Sequence, residues 1–459
     1  MPQPSLARRL GPTDAAAIII SNVIGSGIFL TPAVVAALTG DSTTMLLVWL
    51  AGGAIAFAGA MAYAELAVLM PHAGGEYVYL REAFGPLAAF LTGWTSFVAG
   101  FSGAIAASAV GFASYLGRFL PLAADTRPIV GWSVGPLAVT VTPQALVGVG
   151  LIAALSCVHI LGVGPGRILQ NALAAAKVTG LLTLVVLGFS IGEGSWGHFQ
   201  SPPALVPGGF LLALVPVMFS YSGWNAAAYV AEEIRDPARF LPRALAFGTG
   251  AVVLLYLALN VLYIYSIPVV QLAAVRGSVM DVIAARLFGP VAGDLLGALT
   301  AISIAASVSA MVTAGPRVYF AMARDGAFLS SAATVHPRFR TPAVAIVAQA
   351  CWSTLLVLTG SFGDLITYTG FAVVLFSGIA GVALFVLRRR RPDAERAVRA
   401  WGYPVMPAVF VLSSALIVGN AIWREPGPVA TGLAIILAGV PLYLVLRTRQ
   451  RPDGSTGTR

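Results

Sequence analysis

Two short stretches of small residues carry most of the chemistry this sequence offers. Val23-Ile24-Gly25-Ser26-Gly27-Ile28-Phe29 and Phe219-Ser220-Tyr221-Ser222-Gly223-Trp224-Asn225 each interrupt a long apolar run near its middle. A helix that unwinds there frees N–H groups at the start of one half and C=O groups at the end of the other. The freed N–H groups suit a carboxylate, and the freed carbonyls suit an ammonium or a cation. A zwitterionic α-amino acid presents both charges on one carbon. Glycines at 25 and 27 let a backbone approach that carbon, Ser26 adds a hydroxyl, and the carbonyls of Phe219, Ser220 and Ser222 are candidate acceptors. No charged side chain lies near either break, and this mode of binding needs none. The competing reading is that glycine, present 50 times, only allows helices to pack closely. Two breaks at the same depth, an odd five spans apart, favour a binding site between inverted halves.

Lys177 is the one lysine among 27 Lys and Arg residues. It lies ten residues beyond Arg167, hence about 15 Å into an apolar run at 1.5 Å per residue. A buried ammonium costs several kcal/mol, about 3 or more, unless it is paired or deprotonated, and this depth is too great for easy snorkelling. It is expected to stand where a sodium ion would otherwise brace the first and eighth spans, with Ser303 and Ser307 as candidate partners. A proton-coupled role for the lysine stays open. Glu65, Glu232 and Glu233 near span ends read either as gating acids or as caps paired with arginines. His159 reads as a hydrogen-bonded core residue. Phe219 and Phe371 read either as aromatic covers over a ligand or as packing. No metal-ligand cluster, P-loop or nucleophile elbow is present in the sequence, so no metal, cofactor or direct use of ATP is expected.

The elements that must position these residues are membrane helices. Of 459 residues, 58% are hydrophobic and 10% charged, with mean hydropathy +0.87. About 25% charge is usual for a soluble domain, so too few charges remain to coat a globule of this size. The apolar blocks are each about 20 residues long, enough to cross the bilayer as helices. About twelve spans are expected, at 13–38, 44–69, 86–119, 143–162, 166–190, 207–232, 241–267, 291–324, 342–360, 364–388, 402–422 and 428–447. If the N-terminus lies in the cytoplasm, the outer loops hold only Arg118, Arg127, Arg276, Arg286 and Arg424. Nearly all other basic residues then fall inside, including Arg388 to Arg391. The +9 formal charge therefore reports topology and not a nucleic-acid partner. Both termini are expected in the cytoplasm of a multi-pass protein of the cell (inner) membrane, with no cleaved leader. Cys157 and Cys351 fall inside spans and are expected to be inert packing residues.

These stretches resemble the amino acid–polyamine–organocation superfamily, and most closely its L-type, sodium-independent branch. The resemblance is carried by Ile24 to Phe29, by Phe219 to Asn225 running into Glu232-Glu233-Ile234-Arg235-Asp236-Pro237, and by Gln170-Asn171 leading to Lys177. It is also carried by Gly315-Pro316-Arg317-Val318-Tyr319, by Ala323-Arg324-Asp325-Gly326 and by Pro71 to Tyr77. It implies an all-α leucine-transporter-like fold with a 5+5 inverted repeat, broken helices 1 and 6 and two further helices. The expected division is a cytoplasmic segment 1–12, repeats 13–190 and 207–388, two added helices 402–447, and a cytoplasmic tail 448–459. It implies that Val23, Ile24, Gly25, Ser26, Gly27, Phe219, Ser220, Ser222 and Asn225 meet the substrate, with Phe219 and Phe371 as gates. Lys177 matches the family lysine that replaces sodium.

Animal members carry a cysteine between spans three and four that links a heavy subunit. None is present here, so a stand-alone bacterial-type chain is expected, with a monomer compatible with it. No acidic residue is expected in the pocket, which favours neutral side chains. The resulting expectation is a secondary active transporter of neutral L-amino acids by alternating access, sodium-independent and favouring exchange. The alternative within that class is a proton-coupled symporter. A membrane-embedded enzyme or receptor is the alternative of another class, and an enzyme would need convergent acids, histidines or cysteines at midplane, where only Lys177 and His159 stand.

Overall fold

The computed structural model describes residues 6–25, 27–134, 137–200, 208–360 and 362–449. Helices dominate it, because a backbone in hydrocarbon must satisfy its own polar groups. The first apolar run forms α1 (Pro12–Val23) and α2 (Gly27–Thr39), bent by 48° at the break between them. Asp41 accepts the Thr44 N–H at 2.8 Å and caps α3 (Ser42–Leu69). A short helix, α4 (Glu76–Phe84), follows.

Gly85, at φ +95°, ends α4, and Pro86 starts α5 (Pro86–Thr95). A π-helical turn at Ser96–Gly100 joins α5 to α6 (Phe101–Leu116), so the third span has one irregular turn inside it. Beyond it, β1 (Val130–Val134) and β2 (Leu137–Val141) pair antiparallel, with Val130 opposite Val141. The sequence predicts only a loop there. α7 (Pro143–Ile160) and α8 (Val163–Ser190) complete the first half.

The sixth apolar run is α9 (Gly209–Ser220), an irregular turn, and the single-turn α10 (Ala226–Tyr229). Then come α11 (Pro237–Ser266), α12 (Val269–Ala273), α13 (Val279–Phe288) and α14 (Pro290–Arg324). α15 (Ala343–Thr359), α16 (Phe362–Arg390), α17 (Val405–Arg424), α18 (Pro426–Leu437) and α19 (Gly439–Arg449) finish the chain. Each expected span lies on a helix or a broken helix. Among the described residues nine are long and apolar enough to cross a membrane alone, and α1 with α2 makes a tenth. The remaining two, on α9 and α15, are shorter apolar helices. The chain is a multi-pass, all-α membrane protein whose one described sheet is the small hairpin.

α1 packs against α8, α11 and α14, and α2 against α9. The core is therefore built around the two broken runs. Large apolar side chains such as Val186, Phe247, Leu254 and Leu416 point outward, where lipid replaces water as their surroundings. Cys157 and Cys351 belong to this outer surface. They are not the interior packing residues expected from the sequence, because helical phase turns both away from the bundle.

The three span-end acids pair with arginines. Glu65 accepts from Arg388 at 2.5 and 2.9 Å and lies 3.1 Å from Arg396. Glu232 accepts from Arg324 at 2.9 Å, and Glu233 from Arg317 at 2.6 and 3.1 Å. Of the two readings of these acids, the paired cap is the one the geometry matches.

Candidate functional site

The first break forms because glycine makes continuing α1 costly and because neighbours satisfy what the break frees. Ile24 leaves helical geometry at ψ 85°, while its N–H still reaches Ile20 O. Gly25 N–H turns back to Val23 O at 2.8 Å. In the second break, Ser222 N–H bonds Phe219 O at 3.0 Å, and Gly223 sits at φ +99°. A side chain at 223 would meet Asn22 Nδ2 at 2.6 Å. Asn22 Nδ2 donates to Gly223 O at 3.3 Å, so the two breaks touch directly. A Cβ at Gly27 would lie 2.8 Å from Ser220 Cα, so α2 and α9 meet there at backbone distance.

Tyr256 of α11 ties the breaks a second time. Its hydroxyl lies 2.9 Å from Val23 O and 3.2 Å from Ser220 O, and its one proton serves one carbonyl at a time. Sequence reading missed this residue, since a tyrosine in an apolar run looks like packing. Tyr256 partly occupies the Val23 and Ser220 carbonyls, of which Ser220 O is a candidate acceptor for an ammonium.

Lys177 is fully buried. Its Nζ donates to Ser21 O at 3.0 Å, to Ile24 O at still closer range, and to Ser307 Oγ at 3.2 Å. Ser307 Oγ in turn donates to a helix-end carbonyl, Ser21 O at 2.7 Å or Ile24 O at 3.1 Å. The lysine thus gathers the end of α1 onto α8 and α14 through backbone oxygens, the ligand type a sodium ion takes. Ser303 is not on the ammonium. Its hydroxyl lies 3.5 Å from Ile24 O, on the same carbonyl from another side.

Between the breaks, α5, α6, α14 and α16 enclose a cavity of about 260 Å³. Val23, Gly25, Gly27, Phe219, Ser220, Ser222 and Asn225 all line it, as does Ser307. Ser26 lies outside the described residues. Ile24 is buried behind the cavity wall, with its carbonyl turned to Lys177. Phe219 is 52% exposed and stands at the rim. Phe371 is buried and does not line the cavity; Gly370, Val373, Val374 and Phe376 of the same helix do. His159, also buried, lies 2.8 Å from Ser309 Oγ, as expected of a core histidine.

Two features of the wall have no counterpart in the sequence reading. The π-helical turn puts Ser96, Ala99 and Gly100 on the cavity, and its carbonyls find partners elsewhere: Tyr319 OH reaches Ser96 O at 3.1 Å and Trp352 Nε1 reaches Val98 O at 2.8 Å. Such turns recur at functional sites. The second feature is Glu76, which corrects the expectation that no acidic residue enters the pocket. It lines the cavity and is 7% exposed. Gly74 at φ +114° and Gly75 at φ +50° fold the chain back after α3, and Gly74 N–H bonds Tyr229 O at 3.0 Å. The start of α4 is thereby placed beneath α10. The signal was present in Gly-Gly-Glu, but sequence spacing cannot show that a turn outside the spans returns to their middle.

The arrangement offers the ends of two broken helices, hydroxyls, the side-chain amides of Asn22 and Asn225 and the carboxyl of Glu76 around a small cavity. Among the described residues no group of three or more histidines, cysteines or acids gathers to hold a metal. A family model described as amino acid permease matches residues 10–446. The serine/threonine exchanger SteT of Bacillus subtilis is 28% identical over 448 residues, covering 97% of this chain and 98% of its own. The human large neutral amino acids transporter small subunit 2 is 31% identical over 457 residues, covering 96% and 81%. The mouse b(0,+)-type amino acid transporter 1 is 28% identical over 446 residues, covering 96% and 88%.

Proposed function

This chain belongs to the amino acid permease family, and from that premise we propose that it exchanges neutral L-amino acids across the cell membrane without sodium. The observation that carries this reading is the cavity between two touching helix breaks, which residues of both breaks line together. The N–H groups opening α2 would receive the carboxylate, and the carbonyl and amide oxygens of residues 219–225 the ammonium. Val23, Gly25, Ser26, Gly27, Phe219, Ser220, Ser222 and Asn225 are assigned to that contact. Ile24 acts through its carbonyl on Lys177, whose ammonium takes the place of sodium with Ser307 beside it. Phe219 is the gate, since it alone of the two candidate aromatics lines the cavity.

The repeats 13–190 and 207–388 are the two halves that rock about this site, which the odd spacing of the breaks supports. Cytoplasmic termini in the inner membrane follow from the arginine asymmetry. The hairpin-bearing loop has no cysteine, so the chain is proposed to act without a disulfide-linked subunit. An exchanger is favoured over a proton-coupled symporter because one relative above is named an exchanger, and neutral substrates are favoured because another is named a transporter of large neutral amino acids.

The test is counterflow of radiolabelled amino acids in proteoliposomes. Preloading with a neutral amino acid is expected to accelerate uptake at least about tenfold, with no change on replacing sodium by choline. Equal uptake into empty vesicles under an acid-outside gradient would establish symport instead, and a sodium requirement would refute the role given to Lys177. Gly27→Ala tests the contact between the breaks. Its methyl would collide with Ser220 Cα, which is backbone and cannot turn aside. Forcing the helices apart at such a position costs about 1–3 kcal/mol, so uptake is expected to fall about tenfold or more. Uptake within twofold of wild type would show that α2 and α9 part without consequence.

A further inference from the structure

Glu76 has no arginine or lysine partner among the described residues, yet three groups converge on its Oε1. Tyr63 OH lies at 2.7 Å, Asn225 Nδ2 at 2.8 Å and Ser377 Oγ at 2.9 Å. The two hydroxyls can turn either way, but an amide nitrogen only donates. Oε1 therefore accepts from Asn225 whichever charge the carboxyl carries. The second proton of that nitrogen is directed at Tyr229 OH, 3.1 Å away. Both amide protons are thus engaged by α4 and α10. The amide oxygen accepts no hydrogen bond from any described residue, and Asn225 lines the cavity.

We propose that Glu76 is a positioning residue that holds the Asn225 amide with its oxygen toward the cavity, where that oxygen accepts a hydrogen bond from the substrate's ammonium group. The proposal rests on the reading of the cavity as an amino-acid site. A flipped amide would set its oxygen against the ionised Glu76 carboxylate, acceptor against acceptor, and would aim two donors at an ammonium that can only donate. Glu76 removes that alternative. It can do so because the Gly74-Gly75 turn fixes the start of α4 against α10: a Cβ at Gly75 would lie 2.6 Å from the Tyr229 ring. Recognition of the amine at the second break is thereby tied to a helix outside the spans.

The experiment is competition against a radiolabelled amino acid in proteoliposomes, using one unlabelled amino acid and the carboxylic acid that lacks only its amine. Glu76→Met keeps the volume and removes the acceptor. It is expected to weaken the amino acid about tenfold while the des-amino acid stays within about twofold. Glu76→Gln keeps an oxygen acceptor and is expected to stay within about threefold for both. Equal loss for both competitors in Glu76→Met, or loss for neither, would overturn the proposal. So would a Glu76→Gln as damaged as Glu76→Met, which would mark the charge or a carried proton as the essential property.

If Glu76→Met does not reach the membrane, Asn225→Asp is compared with Asn225→Asp/Glu76→Gln. In the single variant two carboxyls face each other. In the double, the introduced amide donates to the introduced carboxylate and leaves one of its oxygens for the cavity, so amino-acid affinity is expected to recover at least about fivefold. Equal affinity in the two would also overturn the proposal. A wild-type protein that fails to distinguish the amino acid from its des-amino analogue would refute the underlying site reading, and that result needs no variant.

Discussion

Lys177→Ala is expected to lower exchange about a hundredfold or more in reconstituted vesicles. Among the described residues the ammonium is the only cationic donor for two carbonyls at the end of α1, Ser21 O and Ile24 O. Hydrogen bonds to a charged group contribute about 1.5–3 kcal/mol each. Losing two of them at the pivot of the first break gives about 3 kcal/mol or more, and a factor of ten in rate is about 1.4 kcal/mol. Ser307 cannot replace the lysine, since its one proton serves a single carbonyl. Lys177→Arg is not expected to rescue: a planar guanidinium cannot place its donors on three oxygens that surround a point charge. Lys177→Met separates charge from volume and should behave as the alanine variant does. Surface amount and thermal stability in detergent must be measured alongside, so that lost transport is not lost protein. Wild-type exchange by a stably inserted Lys177→Ala would remove the lysine from the mechanism.

The parts of this molecule that could be read from the sequence are those whose signals are local. Twelve apolar runs follow from length and hydropathy, and the two breaks follow from small residues inside such runs. A lone lysine at midspan announces itself by its cost. The parts that could not be read depend on where distant turns return. Glu76 belongs to a segment between spans, and only the left-handed glycines before it bring it under the cavity. Tyr256 differs from a packing tyrosine such as Tyr263, whose hydroxyl finds no hydrogen-bond partner among the described residues, only in that its hydroxyl meets two carbonyls. The π-helical turn has no composition of its own; its carbonyls depend on Tyr319 and Trp352, more than 200 residues away. Phe371 and Val373 are two residues apart, and helical phase alone decides that Val373 lines the cavity and Phe371 does not. Ser303, about one turn before Ser307, fails as a lysine partner because its hydroxyl meets the Ile24 carbonyl that the ammonium also meets.

The Glu233–Arg317 pair sets up the other large effect, this time on stability. Their side chains are 1% and 4% exposed, and two parallel hydrogen bonds join them. Removing either partner leaves a buried charge without its counter-charge, which costs about 3–5 kcal/mol. Glu233→Ala and Arg317→Ala are each expected to lose that much in unfolding titrations. More than one pair is at stake in Glu233, because its backbone carbonyl also accepts the N–H groups of Arg9 and Leu10 at 2.9 Å each. Arg235 N–H then bonds back to Leu10 O at 2.9 Å, so the chain before α1 is laced to the end of the sixth run. The double variant Glu233→Leu/Arg317→Met removes both charges and keeps most of the volume. Desolvation of two ions opposes their attraction, so this variant is expected to recover most of the stability that either single variant loses. Exchange should not recover with it, since the pair also fixes the end of the sixth run against α14, and an apolar contact can slide where a bidentate one cannot. A double variant no more stable than the single ones would mean that the ion pair itself stabilises the fold. One that is stable and exchanges at the wild-type rate would mean that the junction need not be fixed for transport.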